Sequence, residues 1–352
     1  MIKLNTTRFL DAFLSMLRSG YFTKRPFFLA HAVTYGCNSK CKTCTYWQMS
    51  HRMKEDLSTR EVFELLDEAY DFGMRGYYLF GGEPLVRKDI GDIVRYAKNK
   101  GFLTVMNTNG SLAGPENRTL WENLDFAFIS LDYFNSYHDS IRGRRGSFDE
   151  VMRCIGRIRE VNTTLITFVA TISKLNYDAI EPMAKLASDM RVGISYNAVE
   201  PTVESSFEEG WSYSPVNEYG LSKEQLQSFY GALLRLKREG YPLMETEYVL
   251  RHYVEGEPFI CHFPKIFVYV SPDKKIYNCT LNHVYDLRKG SFQDYFSGPL
   301  YREHVKIAEG CNSCVRTCVR MYSYAYTLKP MNFMNLYDIV KILINQKTKI
   351  IL

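Results

Sequence analysis

Three cysteines stand close together near the start of the chain, in the stretch GCNSKCKTCTYW at positions 36–47. Cys37, Cys41 and Cys44 are spaced by three and then two residues. Thiolates this close together suit soft metals and iron–sulfur clusters. A structural zinc site closes with four ligands, so the triplet alone is one ligand short. A four-iron, four-sulfur cluster on three thiolates leaves one iron without a protein ligand, free to take a substrate or cofactor. A zinc knuckle completed by His31 or His51 is the competing chemistry. A second set lies late in the chain: Cys261, Cys279, Cys311, Cys314 and Cys318, spaced C-x17-C and then C-x2-C-x3-C. Cys154 stands alone on a helical pattern and reads as a small buried hydrophobe.

The elements that must hold these residues follow from periodicity. From about residue 28, strand-like apolar runs alternate with helical patterns. FFLAHAVTYG leads into the cysteines, and STREVFELLDEAYDFG follows with Ser58 and Glu61 spaced as a capping box. GYYLFGGEP, FLTVMNTNG, LDFAFISLD, TLITFVATIS and VGISYNAVEP supply five further strands, with helical stretches between them. Strands alternating with helices predict an α/β fold with a parallel sheet, and such folds place chemistry at the strand ends. Cys37, Gly81–Pro84, Asn109–Gly110 and Asp132 all fall there. KEQLQSFYGALLRLKREG reads as a connecting helix, and KIFVYVSPDKKIYNC reads as a hairpin.

The C-x3-C-x2-C run after a first strand resembles the radical S-adenosylmethionine superfamily. Supporting motifs lie in the order that family shows: GGEP after the second strand, NTNG after the third, ISLD as the fourth, then HDSIRG, and SYNAVEP closing the sixth. The resemblance implies a partial (β/α)6 TIM-like barrel over 28–205, with Cys37, Cys41 and Cys44 holding a [4Fe-4S] cluster. It further implies that the open iron chelates the methionine end of S-adenosyl-L-methionine. Gly81 and Gly82 would bring backbone carbonyls to the ammonium, Glu83 would add a carboxylate, and Ser130 and Arg142 would hold the ribose and the carboxylate. Relatives often carry an aromatic residue just before the third cysteine. Thr43 stands there in this chain, and Tyr46 or Trp47 is the expected substitute against the adenine. The implied reaction is one-electron cleavage to a 5′-deoxyadenosyl radical, with a ferredoxin or flavodoxin as reductant, and hydrogen abstraction from an unactivated C–H bond.

The late cysteines resemble the twitch or SPASM extensions of the same superfamily. That implies a small C-terminal auxiliary iron–sulfur domain over 259–320 with one further [4Fe-4S] cluster. The expected ligands are Cys261, Cys279, Cys311 and Cys314, with Cys318 spare or substituting, and structural zinc is the alternative. The hairpin of such domains usually has Gly five residues before its cysteine, where this chain has Lys274. Asp132 and His138 are candidate acid–base groups, each with a structural role as the competing reading.

The net charge of +5 is concentrated at the ends, with +4 over residues 1–25 and +3 over 326–352. Residues 206–258 read as a connecting loop and helix. The segments 1–27 and 321–352 carry basic amphipathic stripes: Phe9, Leu10, Phe13, Leu14, Met16 and Leu17 in one, and Phe333, Leu336, Ile339, Val340, Leu343 and Ile344 in the other. Such stripes either dock on the barrel or rest at a membrane surface. No long apolar span or signal-peptide pattern occurs, so a cytoplasmic, peripherally membrane-associated protein is expected. The first functional expectation is therefore radical functionalisation or carbon–carbon coupling of a membrane lipid or isoprenoid chain. A ribosomal-peptide maturase or small-molecule radical dehydrogenase is the second. A non-catalytic iron–sulfur or zinc protein binding nucleic acid is the third, and it leaves GGEP and HDSIRG without a role, so nucleic acid is not expected as a partner.

Overall fold

The computed structural model describes residues 14, 15, 18, 25–161, 164–199, 218–278, 283–311 and 314–325. All six expected strands form and run parallel: β1 (Phe28–Ala32), β2 (Gly76–Phe80), β3 (Leu103–Thr108), β4 (Phe126–Ser130), β5 (Leu165–Ile172) and β6 (Gly193–Ala198). Parallel neighbours need long crossovers. Helices supply them: α1 (Thr59–Phe72), α2 (Ile90–Lys100), α3 (Arg118–Asn123), α4 (Tyr137–Arg142), α5 (Ser147–Val161) and α6 (Ile180–Asp189). The capping box read from the sequence is present. Glu61 N donates to Ser58 Oγ, and the Ser58 amide donates to the Glu61 carboxylate.

Side-chain alternation divides the sheet into two faces. Leu29, Tyr77, Leu79, Met106, Ala127 and Ile129 pack beneath the helices in the larger core. Phe28, Val105, Phe126 and Leu165 fill the other face with Tyr78 and Phe128. The register Ala32↔Phe80 between β1 and β2 brings the carboxyl ends of these strands level, which sets the cysteine loop beside the GGEP loop.

The hairpin expected in the late segment forms between β7 (Phe267–Val270) and β8 (Lys275–Tyr277), and β9 (His283–Asp286) pairs with β8. β7 lies parallel to β1, with Phe28↔Phe267 and His31↔Val270. The sheet order is thus β6-β5-β4-β3-β2-β1-β7-β8-β9. The late segment extends the barrel sheet instead of standing apart from it. At the opposite edge Leu243 bridges Ile194 in parallel. The connecting helix is α7 (Lys223–Arg238), capped by Ser222, followed by α8 (Glu247–Glu255) and α9 (Phe263–Ile266). After the hairpin come α10 (Phe292–Ser297), α11 (Pro299–Glu309) and α12 (Thr317–Ala325).

No helix among the described residues is long and apolar enough to cross a membrane. Leu14 apart, the apolar residues named on the two terminal stripes lie outside the described residues, as does Cys279.

Candidate active site

The cysteine triplet sits on the long loop after β1. The Cys44 amide donates to the Cys41 carbonyl at 3.3 Å, a turn that brings the second and third thiols together. Cys41 is buried, while Cys37 and Cys44 are half-buried. Burial pushes the Cys37 thiol up to about 12 and Cys44 up to about 11, and it raises Cys41 as well. Three thiols held together in a desolvated loop repel charge on one another. A bound cation removes that penalty, because metal coordination deprotonates a thiol outright. The donor set therefore fits an iron–sulfur cluster. His31 is fully buried against the Tyr77 hydroxyl and His51 is spent on the Gln48 carbonyl. Among the described residues no three His, Cys, Asp or Glu side chains gather closely enough for a single metal ion.

Two of the loops around the triplet grip it through backbone. Gly82 N donates to the Thr34 carbonyl at 3.0 Å, and Glu83 N donates to the Gly36 carbonyl at 2.8 Å. A Cβ on Gly82 would lie 1.9 Å from the Gly36 oxygen, so only glycine permits this approach. Gly81 has φ 132°, and its Cβ would meet the Thr34 oxygen at 2.6 Å. From the other side the Lys42 amide donates to the Ile141 carbonyl at 2.9 Å, and a Cβ on Gly143 would meet the Lys40 oxygen at 2.4 Å.

Glu83, the carboxylate that the resemblance assigns to the ammonium, is buried, and its oxygens accept from Thr108 Oγ1 (2.5 Å), Leu85 N (3.0 Å) and Asn109 N (2.7 Å). It ties the loop after β2 to the loop after β3. Asn109 carries the tie onward, its amide reaching Asn38 Oδ1 at 3.0 Å and Ser39 Oγ at 3.2 Å inside the cysteine loop. The NTNG motif marks this position, but its partners lie about 70 residues away and could not be read from spacing.

Arg142, expected on a carboxylate of the ligand, is paired with the chain's own Asp132 at 2.7 Å, a charge contact without an aligned hydrogen bond. Its Nη1 lies 3.9 Å from Cys41 Sγ. Asp132 also accepts from Thr171 N at 2.8 Å, and its amide donates to His138 Nδ1 at 3.1 Å. Burial, reinforced by the Arg142 charge, holds His138 down to about 4. Asp132 and His138 thus brace the arginine, which supports the structural reading of both. Ser130 ends β4 on the face shared with Phe126 and Phe128. Tyr46 stacks on Tyr35 with centroids 6.2 Å apart, and its amide donates to Cys44 Sγ at 3.4 Å.

In the second set, Cys261 and Cys314 share one apolar cluster with Phe259, Phe263 and Val319. Burial pushes the Cys314 thiol up to about 12, and the neighbouring sulfurs of Cys261 and Cys318 add to the effect. The Cys314 carbonyl accepts from Tyr253 Oη at 3.0 Å and Arg320 Nε at 3.2 Å. Cys311 is half-buried and Cys318 is exposed.

With this geometry in place, comparison with known proteins gives a consistent answer. Residues 32–187 match the Radical SAM superfamily. The chain is 32% identical over 162 residues to an Fe-coproporphyrin III synthase of Methanosarcina barkeri, covering 46% of this chain and 40% of that protein. It is 26% identical over 310 residues to a PqqA peptide cyclase of Granulibacter bethesdensis, covering 83% of this chain and 80% of the cyclase. In structure it is similar to Streptococcus suis SuiB bound to precursor peptide SuiA, with a TM-score of 0.63 at 15% identity over 90% of this chain and 77% of SuiB. The chain spans less than half the length of the first synthases it matches. The barrel strands, the gripped cysteine triplet and the family match agree that residues 32–187 are a Radical SAM domain.

Proposed function

We propose that the chain is a radical S-adenosylmethionine enzyme that matures a peptide. One observation carries the substrate class: the likeness to a PqqA peptide cyclase runs through the barrel and into the late cysteine segment, over 80% of the cyclase. The lipid reading rested on terminal stripes that lie almost wholly outside the described residues, and no related protein named above acts on a lipid by its name.

In this reading Cys37, Cys41 and Cys44 hold the first cluster, and Cys261, Cys279, Cys311 and Cys314 supply the ligands of an auxiliary one, with Cys318 spare or substituting. When bound, the first cluster supplies one electron to S-adenosyl-L-methionine and thereby a 5′-deoxyadenosyl radical able to take hydrogen from an unactivated C–H bond. The chain's own part is orientation and shielding. Gly81 and Gly82 set backbone against the cysteine loop, Ser130 faces the barrel interior, and Tyr46 offers a ring beside Cys44. Arg142 keeps a fixed positive charge next to Cys41, held there by Asp132. Glu83 keeps the GGEP and NTNG loops in register and leaves ligand contact to the backbone around it.

The test is anaerobic reconstitution with a strong reductant and S-adenosylmethionine, followed by assay of 5′-deoxyadenosine. Uniformly deuterated peptides and deuterated isoprenoid lipids are supplied in separate arms. Deuterium in 5′-deoxyadenosine from the peptide arm supports the proposal, and label from the lipid arm alone restores the lipid reading. A tetrapyrrole substrate is the second reading, favoured by the 32% identity to the Fe-coproporphyrin III synthase, and a porphyrin absorbance change in a third arm would select it.

A further inference from the structure

The turn of the late hairpin reaches across the sheet to the first cysteine loop. Asp273, between β7 and β8, is 3% exposed. Its Oδ1 accepts from Tyr35 Oη at 2.8 Å and from Ser271 Oγ at 2.5 Å. Its Oδ2 faces Lys275 Nζ at 3.1 Å and Arg52 Nη2 at 3.4 Å. Tyr35 lies two residues before Cys37, and Arg52 lies eight residues after Cys44. The Arg52 guanidinium also covers the Tyr35 ring at 4.7 Å. The Leu57 amide, at the exit of the same loop, donates to the Pro272 carbonyl at 2.8 Å. A four-residue turn therefore holds both ends of the loop that carries the triplet. These partners are more than 200 residues distant in sequence and meet because β7 pairs with β1.

We propose that Asp273 is a positioning residue for Cys37, Cys41 and Cys44, so that the late segment, besides holding its own cysteines, sets the geometry of the first triplet. The physics is preorganisation. Open sites need their ligands fixed before the metal arrives, because the chain otherwise loses conformational entropy on binding. A buried carboxylate with four partners fixes both ends of a loop at once. Hydrogen bonds to a charged group are stronger than neutral ones, and their loss removes the acceptor of Tyr35 Oη and one acceptor of Arg52, which keeps Glu55 at 2.7 Å. The inference rests on the proposed role of the triplet, but it is read out on the metal-free thiols, so its failure is separable from failure of that role.

The experiment is timed alkylation of the metal-free full chain with a maleimide, followed by peptide mass spectrometry of each cysteine. Cys154, fully buried beneath the sheet, reports global opening. Asp273→Ala is expected to speed alkylation of Cys37, Cys41 and Cys44 by about tenfold while Cys154 stays protected, the fold-change of losing roughly one charged hydrogen bond. Asp273→Asn keeps an acceptor for Tyr35 and is expected to restore most of the protection. Tyr35→Phe removes a single bond and should give a smaller increase at the same three thiols. Unchanged triplet rates in Asp273→Ala with Cys154 protected would overturn the proposal. If Asp273→Ala exposes Cys154 as well, Asp273→Asn and Tyr35→Phe decide, and rates equal to wild type in both would overturn it.

Discussion

The two cysteine sets differ in how the chain holds them. The first is fixed by backbone from the loop after β2, by Asn109 after β3, by the Ile141 carbonyl in α4 and by the hairpin turn at 271–274. In the second set, Cys314 is held at its carbonyl by Tyr253 and Arg320, and Cys318 is open to solvent. On the proposed reading the first site keeps one iron free and would have only three ligands to define it, so the surrounding loops supply the missing rigidity. The second site, on the same reading, would be closed by four thiolates from a choice of five, and such a site draws its order from the metal itself. The sharpest way to break this contrast is to remove one thiol from each set. Cys41→Ala is expected to abolish 5′-deoxyadenosine formation, a loss of at least about a thousandfold, and to cost about four irons per chain. Cys318→Ala should keep cleavage within about threefold of wild type. Iron counting and product assay on reconstituted protein check both, and equal losses would erase the distinction.

A second test sharpens the backbone grip. Gly82→Ala forces a Cβ to 1.9 Å from the Gly36 oxygen, where only backbone could yield. Overpacking against backbone costs about 3 kcal/mol or more. The variant should show a lower denaturant midpoint and lose iron from the first set before the second. Gly156→Ala makes the opposite change in helix α5, where an added Cβ meets nothing within 4 Å. It should raise stability by about 0.5–1 kcal/mol with iron unchanged. Urea titrations of both, with iron measured along the curve, separate steric pressure on the loop from a general penalty for replacing glycine.

These residues also show what was legible beforehand. The barrel strands declared themselves because each is a short apolar run punctuated by turn residues, and Ser58 and Glu61 marked the start of α1 by local spacing alone. The triplet was legible for the same reason: Cys37, Cys41 and Cys44 are neighbours in sequence. What escaped were pairings over distance. Glu83 stands in the GGEP motif, and its bonds to Thr108 and Asn109 could not be read from that motif. Arg142 pairs with Asp132, and Asp273 meets Tyr35 only after β7 has joined β1. Ion pairs and hydrogen bonds between charged groups have no periodicity, so neither composition nor pattern announces them.

The contrast extends to acid. His304 in α11 is buried, with Nδ1 2.8 Å from the Tyr295 hydroxyl, and desolvation holds it down to about 4. His31, under the first loop, is held down to about 3 by burial and by the Arg87 charge. A depressed histidine is neutral when folded and protonates more readily when unfolded. Its contribution is therefore complete above the unfolded value near 6.5 and is lost as pH falls towards the folded value. Stability should be flat from pH 8 to 7 with respect to these groups. It should then drop by up to about 1.4 kcal/mol per pH unit for each histidine below about 6. His304→Gln should shallow that slope by one proton, and chemical denaturation at pH 7.5, 6.0 and 5.0 measures it. An unchanged slope would mean that His304 titrates alike in both states.

The smallest expected effect lies at Lys274, where the resemblance to twitch and SPASM hairpins leads one to expect glycine. Lys274 has φ 66°, in the left-handed region that costs a residue with a Cβ about 1 kcal/mol, which explains why glycine is usual there. Its amide donates to the Ser271 carbonyl at 3.1 Å and its carbonyl accepts from Leu287 N at 3.1 Å, so the turn keeps this conformation against its strain. The Lys274 amine stands 3.8 Å from Glu68, a separation at which an ion pair contributes little. Lys274→Gly relieves the strain but gives the unfolded chain more freedom, and the two terms oppose each other. A net gain of about 0.5 kcal/mol is expected, with Lys274→Ala near neutral because it keeps the strain and loses only the weak pair. Because Asp273 is its neighbour, the glycine variant also loosens the turn that holds the first loop. A rise in thermal midpoint with faster alkylation of Cys37 would show that the lysine trades stability for a stiffer grip. A rise with unchanged alkylation would leave the grip to the Asp273 carboxylate alone.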